Sequence, residues 1–167
     1  MHLLVAQLQF ARAEFLRCVD GVTAEDGERR VEPMNSISWT IGHMANQEHR
    51  YWVQLAQGKN VAPALRDLVG TGRPASTPPL DEMLSIWRLV TSTADAYLVT
   101  LEPTLMETFF QYDGKPVPEN IGTLLTRNIF HYWFHTGEVH AVREMLGHRD
   151  LPEFVSGMSS VVYHAES

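Results

Sequence analysis

Three histidines fall within the short segment HYWFHTGEVH, at positions 131, 135 and 140. Imidazole is a poor choice for filling an apolar core, because its ring nitrogens need hydrogen-bond partners once they leave water. On a helix that turns by about 100° per residue, His131 and His135 lie about 40° apart on one face. His140 lies about 180° from His131, on the opposite face. We therefore expect His131 and His135 to act together and His140 to be dispensable.

A His-x-x-x-His pair on a helix can chelate a metal ion, since both imidazoles reach one ion from adjacent turns. Two core histidines bonded to their neighbours would show the same spacing. A metal site needs a third ligand from another helix, and the segment WTIGHMANQEHRYW offers His43, Glu48 and His49. Helical rotation alone does not choose among these three. Glu48 falls inside the apolar arc of its helix, where an unpaired carboxylate would be costly.

Four long amphipathic helices, separated by polar segments rich in Gly and Pro, are predicted to position these residues. They span about residues 2–19, 36–57, 80–101 and 120–146, with Ser36 or Ser38 as a cap and Gly58 and Gly147 as stops. Residues 59–79 form a long connection, and Asp113-Gly114 predicts a loop or short hairpin before the last helix. The tail, 150–167, is ambiguous and could end in a short helix. We predict an all-α fold, a four-helix bundle with long crossover connections, as a single domain over residues 1–167.

Most other side chains are predicted to be core or solvated surface. Five aromatic residues are expected in the core: Trp39, Trp87, Phe130, Tyr132 and Phe134. The charged residues of the first helix are expected on a solvated face. Trp52 and Trp133 are turned away from the histidines, where a large aromatic side chain either contacts a partner or packs under a connection.

The composition excludes several classes of protein. Thirteen Lys and Arg against 20 Asp and Glu leave a net charge of −7, and no basic stripe favours nucleic-acid binding. The longest apolar run is far shorter than a bilayer span, and MHLLVAQLQFARAEF lacks the pattern of a signal peptide. Cys18 is the only cysteine, which excludes an internal disulfide and a thiolate cluster. We expect a soluble cytoplasmic protein without nucleic-acid or membrane partners.

Two segments, SISWTIGHMANQEHRYW (36–52) and TLLTRNIFHYWFHTGEVHAVREML (123–146), resemble the DinB-like family of metal-binding four-helix bundles. That family carries Ser-x-x-Trp-x-x-x-His at the start of the second helix and His-x-x-x-His-x-Gly-Gln-Ile on the fourth. The resemblance implies a site in which His43, His131 and His135 bind one divalent ion such as Zn, Ni or Fe. Water or a substrate would complete the coordination shell.

The sequence departs from the family pattern at two positions, where Glu138 and Val139 stand for the usual Gln and Ile. Glu138 lies on the histidine face of the helix. It could accept a hydrogen bond from an imidazole N–H, or it could pair with Arg127.

The resemblance implies three classes of function, since the wider superfamily includes thiol-dependent S-transferases and a thiol-dependent isomerase. The first is a metal-dependent transferase that activates a low-molecular-weight thiol for detoxification or stress response. Arg127 and Arg50 are candidates for holding the carboxylate of that thiol. The second is a metal-dependent hydrolase, with Glu48 or Glu138 as the base. The third is a non-catalytic metal-binding stress protein.

The resemblance also implies self-association, because DinB-like bundles are commonly homodimers. We expect a homodimer with Trp52 or Trp133 in or beside the interface, acting on a small-molecule substrate.

Overall fold

The computed structural model describes residues 1–155 and residue 159, and this part of the chain is mainly helical. The helices are α1 (Leu3–Val19), α2 (Ala24–Glu28), α3 (Ile37–Glu48), α4 (Leu65–Val69), α5 (Leu80–Leu98), α6 (Pro103–Met106) and α7 (Ile121–Met145). A π-helical segment, His49–Leu55, continues α3. Strands β1 (Gln111–Tyr112) and β2 (Lys115–Pro116) form an antiparallel hairpin. The predicted all-α class and the hairpin before the last long helix are confirmed, whereas most of the tail lies outside the described residues.

The ends of the long helices follow from local capping chemistry. The Ser36 side chain accepts a hydrogen bond from the Trp39 N–H at 3.1 Å, and Asn120 accepts one from the Thr123 N–H at 2.8 Å. Gly58 has a φ of +66°, a left-handed conformation that ends the helix at low cost. The predicted bounds therefore agree with the structure, except that α5 ends at Leu98, before the predicted end near residue 101.

Three short helices lie in segments that the sequence predicted as irregular connections. They are α2, α4 and α6, each of only four or five residues. A helix of one turn is too short to show a hydrophobic period, so the pattern could not reveal it. Among these helices, α4 packs against α3 and therefore brings the long connection close to His43.

The long helices pack as a bundle in which α1 lies closest to α7 and α3 lies closest to α5, with α3 also contacting α7. Consecutive long helices are therefore not always neighbours, and the connection after α1 crosses the bundle as predicted. Among the described helices, none has both the length and the hydropathy needed to cross a bilayer.

Charged side chains cross the centre of the bundle, and the prediction of a solvated face for the charges of the first helix is wrong for Arg12. That residue is only 5% exposed, and its Nε donates to Glu48 Oε1 at 2.8 Å. Tyr132 Oη donates to the same carboxylate oxygen at 2.5 Å and accepts from Trp87 Nε1 at 2.9 Å. Arg12 Nη1 also donates to Asp95 at 2.5 Å. Because its carboxylate is bonded to Arg12 and Tyr132, Glu48 can lie within the apolar arc of its helix.

Two corrections concern aromatic side chains. Trp52 is fully buried, and its Nε1 donates to Asn128 Oδ1 at 2.7 Å. It faces inward because it lies on the apolar arc of its helix, and that arc meets the core. Phe130 and Phe134, predicted as core, are 68% and 62% exposed. They lie on a side of α7 that neither α1 nor α3 covers.

Candidate metal centre

Three histidine side chains from two helices meet at one point. His43 lies within α3, and His131 and His135 lie on adjacent turns of α7. The Nε2 atom of His131 is 3.1 Å from Nε2 of His43 and 3.0 Å from Nε2 of His135. Any two ligand nitrogens of a tetrahedral zinc site, each about 2.1 Å from the ion, are about 3.4 Å apart. The separations are therefore close to those of a coordination shell, and the group could hold a metal ion.

The hydrogen bonds on the far side of the rings decide which nitrogens carry protons. His43 Nδ1 lies 2.9 Å from the carbonyl oxygen of Val69, which can only accept, so this nitrogen is the donor. His135 Nδ1 lies 2.6 Å from Glu138 Oε2 and donates in the same way. In the neutral rings, both Nε2 atoms consequently present lone pairs toward His131.

Neutral imidazoles at this site would leave a lone pair unsatisfied unless a cation lay among them. His131 Nε2 faces the lone pairs of both His43 and His135, and a single N–H there could serve only one of them. A divalent ion would be bound by all three lone pairs at once. The donor set therefore fits a metal ion better than it fits a hydrogen-bonded core.

Burial keeps the three rings in the neutral form that metal coordination needs. Burial, together with the charges of His43 and Arg127, lowers the pKa of His131 to about 4. Burial and the charges of His131 and His43 lower the pKa of His135 to about 3. Burial also lowers the pKa of His43, although its hydrogen bond to Val69 acts in the opposite direction. At neutral pH none of the rings has to lose a proton before binding an ion.

The ring of His43 is held by packing as well as by its hydrogen bond. Trp39, one turn earlier on α3, stacks on it with ring centroids 4.7 Å apart and an interplanar angle of 11°. Gly42 permits the close approach of α4 and α5, since a Cβ there would lie 2.5 Å from Met83 Sδ and 3.2 Å from Val69. The carbonyl of Val69 carries no signal in the sequence, because any residue supplies one.

Two buried nitrogens at the site have no protein partner among the described residues. They are Nε1 of Trp39 and Nδ1 of His131. His43 and His135 are each oriented by an acceptor, whereas His131 is oriented only through its Nε2 atom. Its Nδ1 would carry the proton when Nε2 binds an ion.

The other candidates from the sequence lie apart from this cluster. His49 Nε2 accepts from the backbone N–H groups of Val61 and Ala62 at 3.1 and 3.4 Å, so it anchors the following loop. His140 instead lies 3.8 Å from Glu144, on the other side of α7. Neither ring belongs to the three-histidine group.

The structure also distinguishes between Glu48 and Glu138, the two carboxylates considered as a general base. Both oxygens of Glu48 are bonded to Arg12, and one also accepts from Tyr132, so this buried group is not free to act as a base. Glu138 contacts His135, whereas Arg127 pairs with Glu119. Of the two roles considered for Glu138, the imidazole acceptor is the one present.

A small cavity of about 130 Å³ adjoins the histidine cluster through Glu138. The other residues that line it are Pro33, Met34, Asn35, Ile37, Thr40, Val139 and Val142. Burial raises the pKa of the Glu138 carboxyl above its ordinary value. The lining is of mixed polarity, because Asn35, Thr40 and Glu138 contribute polar atoms beside the apolar side chains, and Glu138 is its titratable group.

Comparison with known families places the site in a wider context. The model described as the DinB superfamily matches residues 7–139. The matched region includes all of α3 and the part of α7 that carries His131 and His135. A search of curated proteins found no match.

Proposed function

The chain belongs to the DinB superfamily, and on that basis we propose that it binds one divalent metal ion through His43, His131 and His135. We further propose that it is a metal-dependent thiol S-transferase acting in detoxification or stress response. The observation that carries the metal-binding proposal is the convergence of three imidazole Nε2 atoms, with separations of 3.0 and 3.1 Å between neighbours. The thiol chemistry is what the family resemblance implies.

The donor set determines which chemistry the site favours. Three imidazoles contribute no negative charge, and no fourth protein ligand belongs to the described cluster. A bound divalent ion would supply a Lewis acid that lowers the pKa of a thiol or of water at an open position. Zn, Ni and Fe are all suited to imidazole ligands.

Neighbouring groups of the protein hold the histidine rings in the orientation that metal binding needs. The carbonyl of Val69 and the carboxylate of Glu138 orient two of the rings, and Trp39 packs against the face of His43. Because these contacts hold the rings in place, binding would require little rearrangement of the ligands.

A hydrolase is the second candidate, and Glu138 is the observation that favours it. Its pKa is raised by burial, which moves the carboxyl toward the range useful for a general base. Its side chain keeps about a third of its surface exposed, beside the cavity of about 130 Å³. Activation of water instead of a thiol would need a base, and Glu138 would have to release its hydrogen bond to His135 Nδ1 to reach the open position.

Metal content of the purified protein tests the site. We expect one ion per chain in the wild type and strong loss in His43→Ala, His131→Ala and His135→Ala. His140→Ala is the matched control, since it removes a histidine from the same helix without touching the cluster, and it should retain the ion. If His43→Ala keeps the ion while His49→Ala loses it, the third ligand has been assigned wrongly.

Thermal unfolding with thiols tests the activity. A low-molecular-weight thiol should raise the melting temperature of the metal-loaded protein and should leave His131→Ala unchanged. Loss of free thiol to an electrophile should then depend on the metal. Ester or amide hydrolysis that needs the metal but no thiol would favour the hydrolase. A metal-loaded protein that neither binds thiols nor hydrolyses such substrates would contradict both enzymatic proposals.

A further inference from the structure

The cavity of about 130 Å³ lies one helical turn from the histidine cluster, in the groove between α3 and α7. On α3, the lining residue Thr40 precedes His43 by three positions, and on α7, Glu138 follows His135 by three. Three residues of an α-helix advance by about 4.5 Å. A small molecule held at the cluster could therefore extend one end into this cavity.

The volume of the cavity limits the size of the group that it can hold. An apolar cavity of about 150 Å³ accepts a molecule of the size of benzene, so this one accommodates a group of about five non-hydrogen atoms. Ile37, Val139 and Val142 supply apolar walls. The carbon atoms of such a group would pack against these side chains.

Two polar side chains of the lining can only accept hydrogen bonds from a ligand. Thr40 Oγ1 donates its single hydrogen to the carbonyl oxygen of Ser36 at 3.1 Å, which leaves only lone pairs for another partner. Glu138 Oε2 accepts from His135 Nδ1 at 2.6 Å, and in the described part of the chain no hydrogen bond engages Oε1. An ionised carboxylate has no hydrogen to donate. The third polar side chain, Asn35, can accept through its amide oxygen.

The lining also selects the charge of the ligand. Among the described residues that line the cavity, Glu138 carries the one titratable group, and neither Lys nor Arg is present. A carboxylate or phosphate there would meet a like charge, and burial of an anion without a partner is costly. A cationic donor would instead find a carboxylate partner.

We propose that this cavity binds the primary ammonium group of a small substrate, with Glu138 Oε1, Thr40 Oγ1 and Asn35 Oδ1 as its acceptors. An ammonium group has three N–H donors, one for each acceptor. A hydroxyl group of the same size has a single hydrogen and would leave two acceptors without a partner. The short aliphatic stem of the amine packs against the apolar walls.

The ammonium site deepens the proposed function and rests on it for the rest of the substrate. A thiol with its sulfur at the histidine cluster and its nitrogen in the cavity must span about one helical turn. Two or three carbon atoms between sulfur and nitrogen cover about 4–5 Å, so the substrate class is a short aminothiol. Glu138 would then bind the substrate with one oxygen while the other orients His135, which makes it the residue that determines specificity.

Amide NMR spectra of the full chain, recorded with zinc and without it, test the cavity in the absence of any thiol. Propylammonium should cause saturable shifts at Thr40 and Glu138, and propionate, which carries the opposite charge, should cause none. Glu138→Gln and Thr40→Val should each weaken propylammonium binding at least about tenfold, because each removes the charge or an acceptor. Val142→Phe should abolish it by filling the cavity.

Glu144→Gln is the matched control for the loss of charge, since it removes an exposed carboxylate from the same helix. It should bind propylammonium as the wild type does, and helical circular dichroism should be the same in all variants. Shifts of equal size with propionate would overturn the ammonium site. Wild-type affinity in both Glu138→Gln and Thr40→Val would overturn it as well.

Calorimetry with cysteamine and 2-mercaptoethanol, on the zinc-loaded protein, tests the substrate class. These thiols share a two-carbon chain and differ in carrying an ammonium or a hydroxyl group. The wild type should prefer cysteamine at least about tenfold, and Glu138→Gln should lose most of this preference. Because the two thiols also differ in acidity, the ratio of their affinities is compared between the two proteins.

The outcomes separate this inference from the proposed function. A preference for cysteamine that survives in Glu138→Gln would place the nitrogen on the ion rather than in the cavity, and would overturn the ammonium site. Equal wild-type affinity for both thiols would overturn the ammonium site and leave the thiol proposal standing. Binding of propylammonium without binding of either thiol would support the ammonium site and contradict the thiol transferase.

Discussion

Single residues around the histidine cluster determine how well it can hold an ion. The carboxylate of Glu138 accepts a hydrogen bond from His135 Nδ1 at 2.6 Å and stands where the resembled family pattern has Gln. Either side chain offers an oxygen acceptor, so the departure preserves the tautomer of His135. The carboxylate also places a negative charge near the cluster, which favours a bound cation.

Removal of this acceptor should weaken metal binding. We expect Glu138→Ala to lower the affinity by about 10- to 100-fold, while Glu138→Gln retains most of it. Competition with a chromophoric chelator measures both values. Glu144→Ala, which removes an exposed carboxylate from the same helix, is the control and should bind as the wild type does. Equal affinities for Glu138→Ala and its control would contradict the orienting role.

The depressed pKa values of His131 and His135 should make the metal-free protein sensitive to acid. In the unfolded chain both rings titrate near 6.5, whereas in the folded chain their pKa values are about 4 and about 3. Between these limits the unfolded state binds more protons, so the free energy of unfolding falls as the pH falls from about 6.5 toward 3. Above about 6.5 these two rings contribute no pH dependence.

Urea unfolding at several pH values, compared with that of the double variant His131→Asn/His135→Asn, isolates this effect. The wild type should lose at most about 1.4 kcal/mol per pH unit for each histidine, relative to the variant. Parallel profiles for the two proteins would show that the rings are not held neutral by burial.

At the scale of helices, the buried group of Arg12, Glu48 and Tyr132 joins α1, α3 and α7. Burial by itself lowers the pKa of Arg12, but the charge of Glu48 and the hydrogen bonds to it more than offset this effect, and the pKa stays above its ordinary value. Burial, and then the charge of Glu48, raise the pKa of Tyr132 well above 10. Tyr132 immediately follows His131, so this group also sets the position of α7 at the histidine cluster.

Loss of one charge from this group should be costly. We expect Arg12→Met to lower the free energy of unfolding by about 3–5 kcal/mol, because Glu48 is left as a buried and unpaired charge. Arg17→Met is the matched control on the same helix, since Arg17 forms a partly exposed pair with Glu14 and should change stability by less than about 1 kcal/mol. Denaturant unfolding compares the two variants. Similar losses of unfolding free energy in the two variants would mean that the buried pair contributes no more to stability than the exposed pair does.

At the scale of the whole molecule, the histidine cluster connects α3 to α7, two helices that are far apart in the chain. A ligand that binds only the folded state stabilises the fold by mass action, by about 2.7 kcal/mol at a free concentration 100 times its Kd. We expect saturating divalent metal to raise the melting temperature by about 5–10 °C. His131→Ala should show no such rise. A similar rise in this variant would indicate that metal binds elsewhere.

The sequence by itself determined the features that depend on neighbours along the chain. The period of apolar residues, with Ser36 or Ser38 as a cap and Gly58 and Gly147 as stops, predicted the long helices. The spacing of His131 and His135 placed both rings on one face. Each of these depends on the geometry of one helix, which is the same wherever that helix packs.

Only the tertiary structure decided which groups from different helices meet. The positions of His43, His49 and Glu48 around the helix axis did not decide which of them is the third ligand. The resemblance to the DinB-like family selected His43. The structure brings His43 to the pair on α7, whereas it places Glu48 against Arg12, 36 residues away. It also exposes Phe130 and Phe134, because neighbouring helices cover only part of α7. The rotation and register of one helix against another are set by packing the whole core, and no local pattern contains that information.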